Sequence, residues 1–386
     1  MFRARLLPLI TLWFYFAPFL AKGQPYYFKH FETDDGLINN SVNVITQDKN
    51  GFIWIGTRGG LTRFDGYLFK SINNHNSERG NLWNNFITSI AQDSKGLIWI
   101  GTGRGIFSYN PLNEILTPLS AGPQVYINGF VIDDRDNLWL LGQNRLYLYS
   151  QANSKLQDLK IHVSRIARHS DGNLLLGNYD GVLFRCDTRT KVITRTRVID
   201  RSVAPNLRAI TKIHSINNDV AFIGYKKGLM TYNLKTGETN IVPLKSETDL
   251  GVLVRDICHS KGQEYWIATE NGLYIYDLKK ASLLRLTKRQ GDPYAISDNS
   301  IYALFKDKHG DMWVGTYFGG LNYHSKQNAR FEKFYPIPLK NSLSGNAVSE
   351  VWDDRQRYLY VGTEDAGLNR LDKKTNEIGR YKLSLS

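Results

Sequence analysis

Residues 48–66 read DKNGFIWIGTRGGLTRFDG, and variants of this phrase return down the whole chain. The second is DSKGLIWIGTGRGIFSYN and the third DDRDNLWLLGQNRLYLYS; the last two are KHGDMWVGTYFGGLNYH and RQRYLYVGTEDAGLNRLD. The tryptophan slot holds Trp54, Trp99, Trp139, Leu175, Phe222, Trp266, Trp313 and Tyr360, at steps of 45, 40, 36, 47, 44, 47 and 47 residues. Eight copies at that period mean one supersecondary unit used repeatedly.

Each copy opens with a short apolar run such as VNVIT (Val42–Thr46) or IYALF (Ile301–Phe305). A polar turn follows, then the WIGT segment, a second turn with glycine, and a third run such as Leu61–Phe64. A looser fourth segment, Leu68–Ile72 for example, completes it. Runs of about five residues bounded by Gly, Asn and Asp are antiparallel strands joined by hairpins. Beyond residue 25 no segment carries a long helical period.

In GFIWIG, Phe52 and Trp54 face one way and Ile53 and Ile55 the other. A sheet apolar on both faces has to be covered twice. Four-stranded sheets stacked around an axis meet that need, at the unit size of a propeller blade. Burying one Trp contributes about 4–6 kcal/mol gross. Trp54, Trp99, Trp139, Trp266 and Trp313 are therefore structural blade core. The expected fold is all-β: a β-propeller of four-stranded antiparallel blades, seven blades plus the start of a second propeller, with one eight-bladed ring as the alternative. YYFKHF (Tyr26–Phe31) and FEKFY (Phe331–Tyr335) look alike, each an outer strand ahead of a first strand. The N-terminal copy can then close the last blade of a ring. The domain layout is 1–23 signal peptide, 24–328 propeller, and 329–386 the first blade of a second, truncated propeller. An orphaned eighth blade exposes apolar surface and limits solubility.

The glycines after WIGT (Gly59–Gly60, Gly105, Gly181, Gly228, Gly272, Gly319–Gly320, Gly367) suit hairpins that require positive φ. No helix follows and no GK[ST] is present, so they form no phosphate loop. Asparagines precede five first strands: Asn40, Asn85, Asn128, Asn299 and Asn346. They can bond their own backbone; lining the channel mouth is the other role open to them.

The first 23 residues stand apart. Arg3 and Arg5 precede an apolar stretch, and Ala21-Lys22-Gly23 ends in small residues, which points to a secretory signal cleaved near Gly23, before Gln24. The expected location is periplasmic or exported. Cleavage takes the formal charge from +13 to +10 by removing Arg3, Arg5 and Lys22. The two cysteines, Cys186 and Cys258, lie in different blades and read as small buried residues.

The basic excess favours an anionic partner. The turn after WIGT and the entry to each first strand share one face of a propeller. That face carries Arg58, Arg104, Arg145, Tyr179, Lys226, Lys227 and Tyr317, with Arg165 and Arg208 near the first strands. Arginine forks and aromatic platforms on one rim suit a charged sugar. These are the candidate ligand-binding residues. No HExxH, GxSxG, CxxC or P-loop occurs, and no two histidines lie at a metal-ligand spacing. The reading is of no catalytic set, no cofactor and no metal; two carboxylates converging across the channel as an acid/base pair remain the enzymatic alternative.

The phrase D-x-x-G-x-[IL]-W-[IV]-G-T-x-x-G-[GL]-L resembles the two-component regulator propeller repeat, over roughly residues 26 to 380. The opening stretch is similar to the mature start of hybrid two-component sensors. That resemblance implies a periplasmic sensor region. It binds oligosaccharides released from a complex glycan, acts as a homodimer within a longer histidine kinase, and controls polysaccharide-utilisation genes. It implies no nucleic acid bound by this region. The chain as given shows no membrane helix and no kinase after the repeats, so it is expected to bind rather than catalyse. A stand-alone secreted enzyme such as a polysaccharide lyase, or an interaction scaffold, are the competing readings.

Overall fold

A computed structural model describes residues 26–73, 81–245, 251–327, 332–337 and 341–381. The signal segment lies outside the described residues. The described residues form eight four-stranded antiparallel sheets, seven of them each built from a single repeat. In blade 1 the strands are Val42–Gln47, Ile53–Thr57, Leu61–Phe64 and Phe69–Ile72, hydrogen-bonded in that order. Every residue of the WIGT strands in blades 1, 2 and 7 is buried, so both faces are covered as their apolar pattern demands.

The tryptophans do pack between blades. Trp54 joins Ile90, Ile98, Phe107 and Tyr109 of blade 2 in one cluster. A feature absent from the sequence reading fixes four of the five blade-core indoles, while Trp266 donates to Glu264 at 3.2 Å. The Asp six residues upstream turns its carboxylate inward and accepts the ring N–H: Asp48 from Trp54 at 2.8 Å, Asp93 from Trp99 at 2.8 Å, Asp133 from Trp139 at 2.9 Å, Asp307 from Trp313 at 2.9 Å. The other carboxylate oxygen accepts backbone N–H groups of the turn, as Asp93 does from Lys95 and Leu97. One side chain thus shapes the hairpin and satisfies a buried donor. The Thr of WIGT closes the next turn: Thr57 donates to the Gly60 carbonyl at 2.9 Å, and Thr102 to Gly105 at 3.0 Å. Within that turn Gly60, Gly105, Gly272 and Gly320 have the expected positive φ. Gly59 and Gly319 do not; a Cβ there would strike Asn39 and Ser297.

Successive sheets pack side by side from blade 1 to blade 7, and the first strand of blade 1 returns to pack on Ile301–Lys306 and Met312–Thr316 of blade 7. Seven sheets therefore close the ring, and no eight-bladed ring forms. The seal is the N-terminal strand Lys29–Phe31, which supplies the outer strand of blade 7 by pairing with Leu321–Tyr323. Phe28 anchors it in a core with Trp266 and Leu286.

The eighth sheet (Val348–Asp353, Tyr358–Thr363, Gly367–Asp372, Ile378–Tyr381) has an inner strand exposed along its whole length, Trp352 being 60% exposed. One expectation needs correction. Phe331–Tyr335 is not an outer strand: residues 332–337 belong to no strand, and Phe331 lies outside the described residues. The eighth sheet draws its outer strand from its own C-terminal run. The likeness of FEKFY to YYFKHF misled because a pattern of alternating aromatics does not specify a partner. Tyr335 instead donates to Asp292 at 2.7 Å and packs edge-on to Tyr294.

Candidate functional site

The inner strands line a central channel, and a recurrent irregularity decides which side chains enter it. In six ring blades the first strand skips one residue in its pairing with the WIGT strand. The skipped residues are Asn43, Thr88, Asn128, Thr211, Arg255 and Tyr302. A β-bulge re-aims the extra residue. All six line one cavity of ≈ 400 Å³, together with Arg165 of blade 4, Phe86, Tyr126, Lys212 and Asp256.

At the mouth, arginines and aromatic rings alternate. The Arg58 guanidinium lies 4.4 Å from the centre of the Tyr317 ring and 5.6 Å from that of Phe86. Tyr317 packs on Tyr302 at 5.0 Å, and Arg255 sits over Tyr302 at 4.6 Å. Phe86 meets Tyr126 at 5.9 Å. Five blades (6, 7, 1, 2 and 3) thus contribute to one arc. Burial raises the pKa of Tyr302 and Tyr126, while nearby guanidinium groups pull the other way, Arg255 for Tyr302 and Arg165 and Arg58 for Tyr126. Both phenols stay protonated at neutral pH and can donate.

The cations divide by partner. Arg255 pairs with Glu270, and Lys212 with Asp256 at 2.6 Å. Arg165 donates from Nε to the Thr211 carbonyl at 2.5 Å and from Nη1 to the Ser164 carbonyl at 2.7 Å. Among the described residues no carboxylate lies within ion-pairing distance of Arg165 or Arg58.

Of the candidates read from sequence, Arg58 and Tyr317 belong to this arc. Tyr179 stands beside it, more than half exposed, donating to Asn144 Oδ1 at 2.9 Å. Arg104, Lys226 and Lys227 are exposed, and none of the three lines the cavity. Arg145 opens a third strand and turns to Asp158 at 3.3 Å. Arg208 is held by Asp180 and the Val203 carbonyl. Arg255, Tyr302, Phe86 and Tyr126 were not singled out. Their signal is positional: each lies just before or just after the first buried residue of an inner strand. The asparagines also shift by one. Asn39 and Asn84 accept from the backbone two residues on, Asn40 accepts the Thr33 N–H, and Asn128 lines the channel. Cys186 is buried but Cys258 only partly so; burial pushes their thiols up to about 11 and about 12. Neither offers a thiolate at neutral pH. Among the described residues no three His, Cys, Asp or Glu side chains gather as metal ligands.

Residues 36–59, 79–104 and 295–318 match the family described as two component regulator propeller. Those three stretches are similar to two-component regulator propeller repeats. Over 55 residues the chain is 47% identical to histidine kinase P4 of Formosa agariphila, a stretch that is 14% of this chain and 4% of the kinase. These repeats superpose on the extracellular domain of a hybrid two-component system from B. thetaiotaomicron with a TM-score of 0.70 and 25% identity, over 93% of this chain and 50% of that one. The chain thus spans about half the length of that solved domain. Virginiamycin B lyase from Staphylococcus aureus shares the fold at a TM-score of 0.60 and 13% identity, over 78% of this chain and 99% of the lyase. Extracellular domains of two-component systems are thus among the structural neighbours of this fold. No described helix is long and apolar enough to cross a membrane.

Proposed function

We propose that this chain is the exported ligand-sensing propeller region of a hybrid two-component regulator. It binds glycan-derived oligosaccharides at the channel mouth, and binding controls polysaccharide-utilisation genes through the rest of such a regulator, acting as a dimer. The observation that carries this reading is the arc Arg255–Tyr302–Tyr317–Arg58–Phe86–Tyr126, in which flat rings and guanidinium forks from separate blades share one opening. Aromatic faces cover the apolar faces of sugar rings, and forks bind ring hydroxyls or anions. Six ring blades place their bulged residue in the channel, so a ligand there touches most of the ring at once.

The eighth sheet begins a second ring in this reading. Two observations support it: its inner strand is bare, and the nearest atoms to a side chain on Gly362 belong to its own sheet, whereas the next blade fills that space at Gly56, Gly101, Gly177, Gly224 and Gly315.

The test is calorimetry of the purified chain against a panel of neutral and acidic plant and host oligosaccharides. One class is expected to bind, with Tyr302→Ala and Arg58→Ala each weakening it several-fold and Arg104→Ala leaving it unchanged. Binding that ignores Tyr302→Ala and Arg58→Ala, or follows Arg104, moves the site off the mouth.

A further inference from the structure

Among the described residues, Arg165 is the one cation lining the cavity without a carboxylate partner. Its two carbonyl contacts fix the plane of the guanidinium but carry no net charge. Burial, and then the Arg255 guanidinium nearby, pulls its pKa below the ordinary arginine value. Arg165 is partly buried, a partly desolvated cation without a counter-charge is costly, and arginine stays charged across the usable pH range. Around it, Lys212 and Arg255 face the same cavity, Arg255 held by Glu270 and Lys212 by Asp256. Lys212 already occupies that carboxylate, at 2.6 Å, and Asp256 also accepts the Leu304 N–H at 2.9 Å. The cavity therefore has an uncompensated positive charge on its inner wall, with Asn128 and Tyr302 as neutral partners beside it.

We infer that this channel is an anion subsite centred on Arg165, which takes the carboxylate or sulfate of an acidic sugar at the end of an oligosaccharide. The inference rests on the mouth being the sensing site and says what enters it. Carboxylate and sulfate both offer two oxygens to a guanidinium fork. The cavity, ≈ 400 Å³, lies near the small end of the range of ligand pockets, roughly 300–1,000 Å³. It admits a terminal residue rather than a chain lying across the ring. The aromatic arc then stacks on the following sugar. Recognition is of a chain end, so a long intact polysaccharide is a poorer ligand than its acidic fragments.

The experiment measures affinity of the full chain for digalacturonate, for sulfated N-acetylglucosamine, and for their neutral counterparts digalactose and N-acetylglucosamine. Either charged probe is expected to bind about tenfold or more tightly than its neutral counterpart. Arg165→Met abolishes that preference. Arg165 also ties two backbone carbonyls, so thermal melting checks its fold, and Arg255→Gln provides a second variant in which the preference falls several-fold. Equal affinity for charged and neutral probes overturns the anion subsite, as does a preference that survives both substitutions. If neutral oligosaccharides bind and are lost in Tyr302→Ala while no charge preference exists, the subsite fails and the sensing reading stands. If no saccharide of either kind binds, both fail.

Discussion

Ile87 fills the space that a side chain on Gly56 would need: its Cγ2 lies 2.5 Å from where that Cβ would stand. The same relation links Gly101 to Ile127 at 2.9 Å, Gly177 to Ile210 at 2.6 Å, Gly224 to Val254 at 3.0 Å and Gly315 to Val42 at 2.5 Å. The Gly of WIGT is thus a socket, and the first inner residue of the next blade is the knob. Val42 into Gly315 is the contact by which blade 1 closes on blade 7. β-Branched residues suit the knob because their χ1 is stiff. Gly362 of the eighth sheet has the socket without the knob: the nearest atom, Ser349 Oγ, is 3.4 Å away.

Gly56→Ala and Gly315→Ala are accordingly expected to overpack the ring and cost about 1–3 kcal/mol each in denaturant unfolding. Neither glycine has a positive φ, so the backbone tolerates alanine and the loss reports packing alone. Gly362→Ala should lie within about 0.5 kcal/mol of the parent. Equal losses at all three positions would refute the socket.

Ring closure by the N-terminal strand can be weighed the same way. Phe28 is buried in a core with Trp266, Ile301 and Met312, and its N–H donates to the Tyr294 carbonyl at 3.0 Å. Phe28→Ala should cost about 3–5 kcal/mol. Trp352→Ala, at an exposed position on the eighth sheet, should leave the ring's stability unchanged and reduce self-association in light scattering.

Asp93 is a buried carboxylate that accepts the Trp99 indole and two backbone N–H groups. Asp93→Ala strands the buried indole donor, at an expected cost of about 2–4 kcal/mol. Asp354 holds the equivalent place in the eighth sheet, where it accepts backbone N–H groups from Gln356, Arg357 and Tyr358 and has no tryptophan to satisfy. Its alanine variant should lose clearly less, as read from the two unfolding midpoints.

The ring was legible because its determinants repeat. WIGT marks a strand covered on both faces, and the turn glycines mark the hairpins, so the eight units and their order follow from counting, while the choice between a seven- and an eight-bladed ring is settled by the packing of blade 1 on blade 7. Even Arg58 and Tyr317 could be placed at one mouth, since the turn after WIGT recurs on one face. The rest of the site was hidden for two reasons. Arg104 and Arg145 occupy turns equivalent to that of Arg58, yet turn position does not say which way a long side chain runs, and Asp158 draws Arg145 outward. Arg255 and Tyr302 reach the channel through bulges, and a one-residue slip in pairing leaves no mark in an apolar pattern. The Asp–Trp bond was in plain view as a fixed six-residue spacing, but spacing alone does not tell a turn-former from a partner for a buried indole.

The ring's response to acid should centre on His214. This imidazole lies against Tyr265, with Lys212, Asp256 and His259 as the charged and titratable groups around it. Burial first, and Lys212 second, depress its pKa from 6.5 to about 4. The unfolded chain therefore takes up a proton near pH 6.5 that the folded ring refuses until about pH 4. The sign follows: the contribution is intact above pH 6.5 and is lost progressively as pH falls towards 4, to a total of order 3 kcal/mol. His214→Gln removes the titration while keeping a polar side chain. The difference in unfolding free energy between parent and variant, measured from pH 7.5 down to 4.5, should move in the variant's favour across that window. A difference that stays flat with pH means that the imidazole titrates alike in the folded and unfolded chain and that its burial does not depress its pKa.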